Sequence, residues 1–227
     1  MTPPMSMGMG VGLHHLRTAV GGAAAADWEL VSSQDLSVGS ISSVVFEDLD
    51  LGNTYMLVGR HMKATSTGAI PYVRFKYGST DYSVSNSYIR ETDGRYMDVS
   101  TVSTGAGSSG TNTGSSFPFD AASGGTLLDA TDTVTDDIDG LSVVMFFRLY
   151  DQGVSDSHVI PVYAFSEGHY KDTTKGDASL SVSCYGACAN NIPATAQLDG
   201  VVLATTGTFA AISGSRVALY KYIGGLL

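Results

Sequence analysis

"IPYVRFKYGSTDYSVSNSYI", residues 70–89, decides how the chain is read. It mixes Tyr72, Tyr77, Tyr82, Tyr88 and Phe75 with Arg74 and Lys76. Such a mixture suits either a platform for a sugar or a base, or one hairpin of an ordinary sheet. Successive side chains of a strand point to opposite faces. Val73, Phe75 and Tyr77 then share an inner face, and Tyr72, Arg74 and Lys76 a wet outer one. "YGSTDYS" supplies turn residues, and "YSVSNSYI" is expected to return as the partner strand. Core packing thus accounts for much of the aromatic content, and the stretch signals a fold more than a site.

Neighbouring segments carry the same signal. "DWELVSS", "SISSVVFEDL" and "NTYMLVGRHMKA" are short and rich in strand formers. In the last, Tyr55, Leu57 and His61 fall on one face and Met56, Val58 and Met62 on the other, so a central strand is expected. "LSVVMFFRLY" is apolar on both faces up to Arg148 and is expected to be central too. Pro161 in "HVIPVYAF" belongs near an edge or bulge. "ASLSVSCY" alternates Leu180, Val182 and Cys184 against serines, and "GVVLAT", "GTFAAIS" and "SRVALYKYI" close the chain. "RYMDVSTVS" is a further candidate strand, whereas "TGAGSSGTNTGSS" lacks any apolar anchor and is expected to be a loop. The sum is about eleven short strands with regular turn signals: an all-β, two-sheet antiparallel β-sandwich.

Composition agrees. The 227 residues are 43% hydrophobic and only 15% charged, with 27 glycines. Ser, Thr and Gly must supply the polar surface, and these residues disfavour helices. A net charge of −10 without a basic stripe argues against nucleic acid as partner and against anionic membranes. No stretch approaches the roughly 18 apolar residues of a membrane span, and no basic, apolar leader of the secretory kind opens the sequence. Synthesis in a cytoplasm without membrane insertion is the expectation.

Residues 1–26 stand apart from the rest. They are rich in Met, Gly and Ala and carry Arg17 as their one formal charge. The segment is too apolar for a solvated tail. It is expected to be an extended arm that docks onto a neighbouring protein through Met5, Met7, Met9, Leu13 and Leu16, with "GGAAAA" as spacer and residues 27–227 as one sandwich domain.

Chemistry is harder to find. The G-x-S-x-G, H-E-x-x-H and phosphate-loop patterns are absent. "GAGSSG" fits G-x-G-x-x-G, but "TNTGSSFPF" follows it and cannot open the helix a dinucleotide site needs. The acidic run from Asp129 through Asp132, Asp136 and Asp137 to Asp139 could hold calcium, though its spacing is not that of an EF-hand, or be a solvated loop. His14 and His15 would bind metal only where several copies meet, and His61 and His158 suit structural roles at strand positions. Cys184 and Cys188 would lie about 13 Å apart on a straight strand, too far to bridge, whereas a turn through Gly186 would bring them together. No catalytic, cofactor-binding or metal residues are assigned, and no enzyme is expected.

Taken in order, Tyr55, Leu57 and Val58, then Ala64, Thr65, Gly68 and Ala69, then Val73, Arg74, Phe75, Gly78, Ser79, Thr80 and Tyr82, and finally Arg216, Ala218, Leu219 and Tyr220 form a pattern. It resembles the β-sandwich virion and tail-fibre modules of tailed bacteriophages. The likeness is concentrated in residues 44–90 and 208–222; Asp81 is an insertion relative to the commoner form, and residues 91–207 do not align. The resemblance implies a jelly-roll-like fold and a place in the virion, assembled in host cytoplasm. It also implies other virion proteins as partners, a homo-oligomer (trimer or ring), and a host-surface glycan as a possible receptor contact. It supplies no catalytic residues. A head-decoration protein, a glycan-binding module and a depolymerase are the alternatives it leaves open.

Overall fold

In a computed structural model the chain is described over residues 27–63, 65, 71–83, 88–98, 103–106, 110–114, 116–118, 140–149, 160–172, 176–188, 197–205 and 207–224. The described residues contain strands and no helix: β1 (Trp28–Asp35), β2 (Ser43–Phe46), β3 (Thr54–Met62), β4 (Tyr72–Tyr77), β5 (Thr80–Asp81), β6 (Tyr88–Asp98), β7 (Ser103–Ala106), β8 (Gly110–Gly114), β9 (Phe117–Pro118), β10 (Gly140–Arg148), β11 (Ile160–Asp172), β12 (Gly176–Cys188), β13 (Gly200–Ala204) and β14 (Arg216–Tyr222). All pairings are antiparallel.

The strands make two sheets. The larger runs β1-β14-β3-β10-β11-β12-β6-β7 with β8 also on β6; the smaller runs β2-β13-β4-β5 with β9 also on β4. Its skeleton is β1-β14-β3-β10 facing β2-β13-β4-β9, with the chain crossing between sheets at almost every step. That wrapping is a jelly roll. Two insertions, β6 to β8 and β11 to β12, pair with each other through β6 and β12 and lengthen the large sheet.

One core lies between the sheets. Leu57, Val143, Met145, Phe147 and Leu219 from the large sheet meet Val44, Phe46, Val73, Phe75, Val201 and Leu203 from the small one. Phe75 is fully buried and meets Phe147 edge-on at 5.3 Å and Tyr88 in a stack at 6.4 Å. β3 and β10 are interior strands as expected, and both carry apolar residues on both faces.

Several local expectations are corrected. The sheet partner of β4 after the turn is only Thr80–Asp81; the chain from Tyr88 belongs to the other sheet. The Gly/Ser/Thr run is not all loop, because Ser103–Ala106 and Gly110–Gly114 both pair with β6. Backbone pairing needs no apolar side chain, so hydrophobic pattern could not reveal it. Pro161 sits in an interior strand, but at its second residue and beyond the last β10 pair, Phe147↔Val162, where its missing N–H costs no ladder bond to β10. "GTFAAIS" is mainly loop, anchored by buried Phe209 and Ile212. In β3 a bulge sets two residues, Arg60 and His61, against Ser142. His61 takes a left-handed φ of 54° and its N–H bonds the Ser142 hydroxyl at 3.3 Å. Met62 therefore turns into the core beside Leu57, and the expected faces of His61 and Met62 are exchanged.

Candidate interaction surface

The outer side of β4 was the sequence candidate for a ligand platform, and its chemistry is already satisfied. Lys76 was expected to face water; it is only 6% exposed. Its ammonium lies 3.3 Å from Glu47 and 3.2 Å from Asp81, and it donates to the Ser79 carbonyl at 3.3 Å. Burial pushes its pKa down, but the bonds to Asp81 and Glu47 outweigh this and hold it above the ordinary 10.5. The Arg74 guanidinium sits over the Tyr72 ring at 4.7 Å. Asp81, in β5, is thus one of the carboxylates that allow a lysine to be buried here.

The outer face of the large sheet is different. Register places Leu30, Tyr220, Met56, Phe146, Tyr163 and Tyr185 in one row across β1, β14, β3, β10, β11 and β12. Ala218, Val58, Val144 and Phe165 form the next row. Trp28 lies over this face with its ring 5.3 Å from Tyr222 and 5.8 Å from Phe146, reaching across two intervening strands. Met56 beneath is covered, whereas Leu30 is 52% and Tyr163 49% exposed. Soluble monomers rarely leave contiguous apolar surface larger than a few hundred Å². Among the large apolar residues of these rows whose side chains are described, Leu30 and Tyr163 are exposed, Val58, Val144, Phe146 and Tyr220 are half-buried, and Met56 is buried.

No sequence pattern marked this surface, since its members come from strands scattered over most of the chain and only pairing assembles them. The remaining candidates fare as follows. Cys184 and Cys188 lie on one unbroken strand, paired with Ala164 and Ile160, and Gly186 makes no turn. Their Cα atoms are about 13 Å apart, so they do not bridge. Among the described residues no three His, Cys, Asp or Glu side chains gather to hold a metal. No helix among them is long and apolar enough to cross a membrane. "GAGSSG" falls at β7 and β8 with no helix after it. Asp129–Asp139, His14, His15, His158 and the arm residues Met5, Met7, Met9, Leu13 and Leu16 lie outside the described residues.

No family model matches the chain, and no curated protein matches it.

Proposed function

We propose that this chain is a non-enzymatic structural protein of a bacteriophage virion, a tail or tail-fibre component that attaches through residues 1–26 and exposes its sandwich. The observation that carries the reading is an all-β two-sheet sandwich whose large sheet carries apolar and aromatic residues in register on its outer face, with Leu30 and Tyr163 exposed. A face of that kind suits a subunit built to be covered in an assembly. The resemblance of residues 44–90 and 208–222 to virion sandwiches supports it, as does a surface built from Ser, Thr and Gly with few charges. Other virion proteins and further copies of this chain are its partners in this reading, in a particle assembled in host cytoplasm.

Labelling the protein on intact particles and imaging them tests the proposal. Density at the tail is expected. Label on the head would move the reading to a decoration protein, and absence from particles would overturn it. Incubating the protein with host polysaccharide should release no reducing ends; release would assign a depolymerase instead.

A further inference from the structure

We infer that Arg60 and Arg216 form a carboxylate-binding site at one end of the large sheet's outer face. The inference goes beyond the virion reading and does not depend on it.

Pairing order builds the site. Arg216 of β14 stands directly opposite Arg60 of β3, and both are exposed. Leu57 and Val217 belong to the core, so alternation sends Arg60 and Arg216 outward. Direct partners in an antiparallel pair have Cβ atoms about 5 Å apart, and like charges so placed destabilise the sheet. Among the described residues neither guanidinium has a hydrogen bond or an ion pair. Asp35 is paired with Arg216 on its other side but is engaged elsewhere. Its carboxylate accepts the Ser37 N–H at 2.8 Å. Bonds to Ser37, ahead of the charge of Arg216, hold its carboxyl below the ordinary range. One carboxylate beside two guanidiniums leaves a positive charge over, in a chain whose net charge is −10.

The backbone beside Arg60 is shaped at a cost. The bulge sets Arg60 and His61 together against Ser142, and His61 adopts a φ of 54°. A left-handed φ is uncommon outside glycine, and bulges re-aim side chains next to functional sites. Here the bulge leaves Arg60 outward, level with Arg216, while Met62 turns into the core.

The chemistry of the ligand follows from these groups. A guanidinium is planar, and its paired N–H donors match the two oxygens of a carboxylate. Two guanidiniums on neighbouring strands can hold one such group between them. A single surplus positive charge suits a monoanion, whereas a dianion would meet stronger repulsion from Asp35. The acidity of the whole chain disfavours polyanions in the same way.

The test follows the arginine side-chain N–H signals of the full chain by NMR. Sodium acetate and sodium glucuronate are titrated against sodium chloride at equal ionic strength, with glucose as neutral control and sodium sulfate as dianion. Both carboxylates are expected to shift the Arg60 and Arg216 signals saturably and to bind more tightly than sulfate. Acetate and glucuronate binding alike would uphold a site for the carboxylate itself; tighter glucuronate binding would uphold it and assign the group to an acidic sugar. Arg60→Gln and Arg216→Gln should each weaken binding about ten-fold or more, through loss of charge-assisted bonds. Arg60→Lys keeps the charge without the fork and should weaken it too. Arg74→Gln, on the small sheet, should leave it unchanged. Melting curves establish that each variant folds. Lysine binding as well as arginine, an equal response to chloride, tighter sulfate binding, or loss of binding in Arg74→Gln would overturn the inference. So would the absence of any shift, the result expected if Glu167, two strands from Arg60 in the register, already answers its charge. Absence of the protein from particles would defeat the virion reading and leave this site standing.

Discussion

Tyr88 joins three segments through one hydroxyl. The group donates to the Tyr82 carbonyl at 2.6 Å and accepts from the Phe75 N–H at 3.0 Å, in a fully buried position. The first residue of a large-sheet strand thereby fixes the strand and turn of the small sheet. Tyr88→Phe keeps the ring stack but leaves a buried donor and a buried acceptor unpaired, so a loss of about 1–3 kcal/mol is expected in denaturant unfolding. Lys76 gives a second expectation, with a sign. A lysine whose folded pKa stands above its unfolded value of about 10.5 stabilises the fold fully below that pH, and the contribution is lost as pH rises through the folded value. Melting temperature should therefore fall from about pH 10.5 upward, and Lys76→Met should flatten that part of the profile. Equal alkaline slopes in the two proteins would remove Lys76 from the account.

At the scale of elements, close approach sets tight limits. Gly200 starts β13 between β2 and β4, and a Cβ there would stand 2.9 Å from the Phe46 carbonyl oxygen and 3.2 Å from Lys76 Cβ. Backbone cannot swing aside as a side chain can, so Gly200→Ala should cost about 1–3 kcal/mol by overpacking. An unchanged unfolding midpoint would show that β2 yields. β12 carries a different expectation: alkylation of the denatured protein without reductant should modify both Cys184 and Cys188, since a straight strand keeps them unbridged.

The same elements show what sequence could tell. Alternation in β4 and unbroken apolar runs in β3 and β10 placed these strands correctly, because burial on one or two faces writes itself into residue type. The bulge in β3 left no such trace, since one extra residue reverses facing without altering composition. Lys76 was assigned to water because its carboxylate partner Glu47 comes from another strand region altogether. The outer aromatic row was illegible for the same reason: neighbours across a sheet are set by pairing order, and Leu30, Tyr220 and Phe146 are distant in sequence.

For the whole molecule, the position of the last strand matters most. β14 is wedged between β1 and β3, so the end of the described chain forms the middle of the large sheet's jelly-roll half and brings Asp27 beside Ile223. Its Val217 and Leu219 are fully buried, and Ser215 and Leu36 close the adjoining turn through a 2.9 Å backbone bond. A jelly roll is dominated by contacts between distant parts of the chain, which makes loop closure the slow and costly step. The sandwich can then complete only after residues 216–222 are available, and strands β1 and β3 would otherwise present two unpaired edges prone to intermolecular pairing. A chain ending at Ser215 is accordingly expected to give no cooperative thermal transition by circular dichroism and to associate through those edges. β1 alone would not rescue it, because its register shifts at Val31 and its side chains are almost all exposed. Supplying residues 216–222 as a separate peptide should restore part of the cooperative signal, since the slot between β1 and β3 fixes both register and facing. A truncated chain that melts as sharply as the full one would mean that β3 and β10 suffice to hold the large sheet, and that the wrapping is not what makes this fold cooperative.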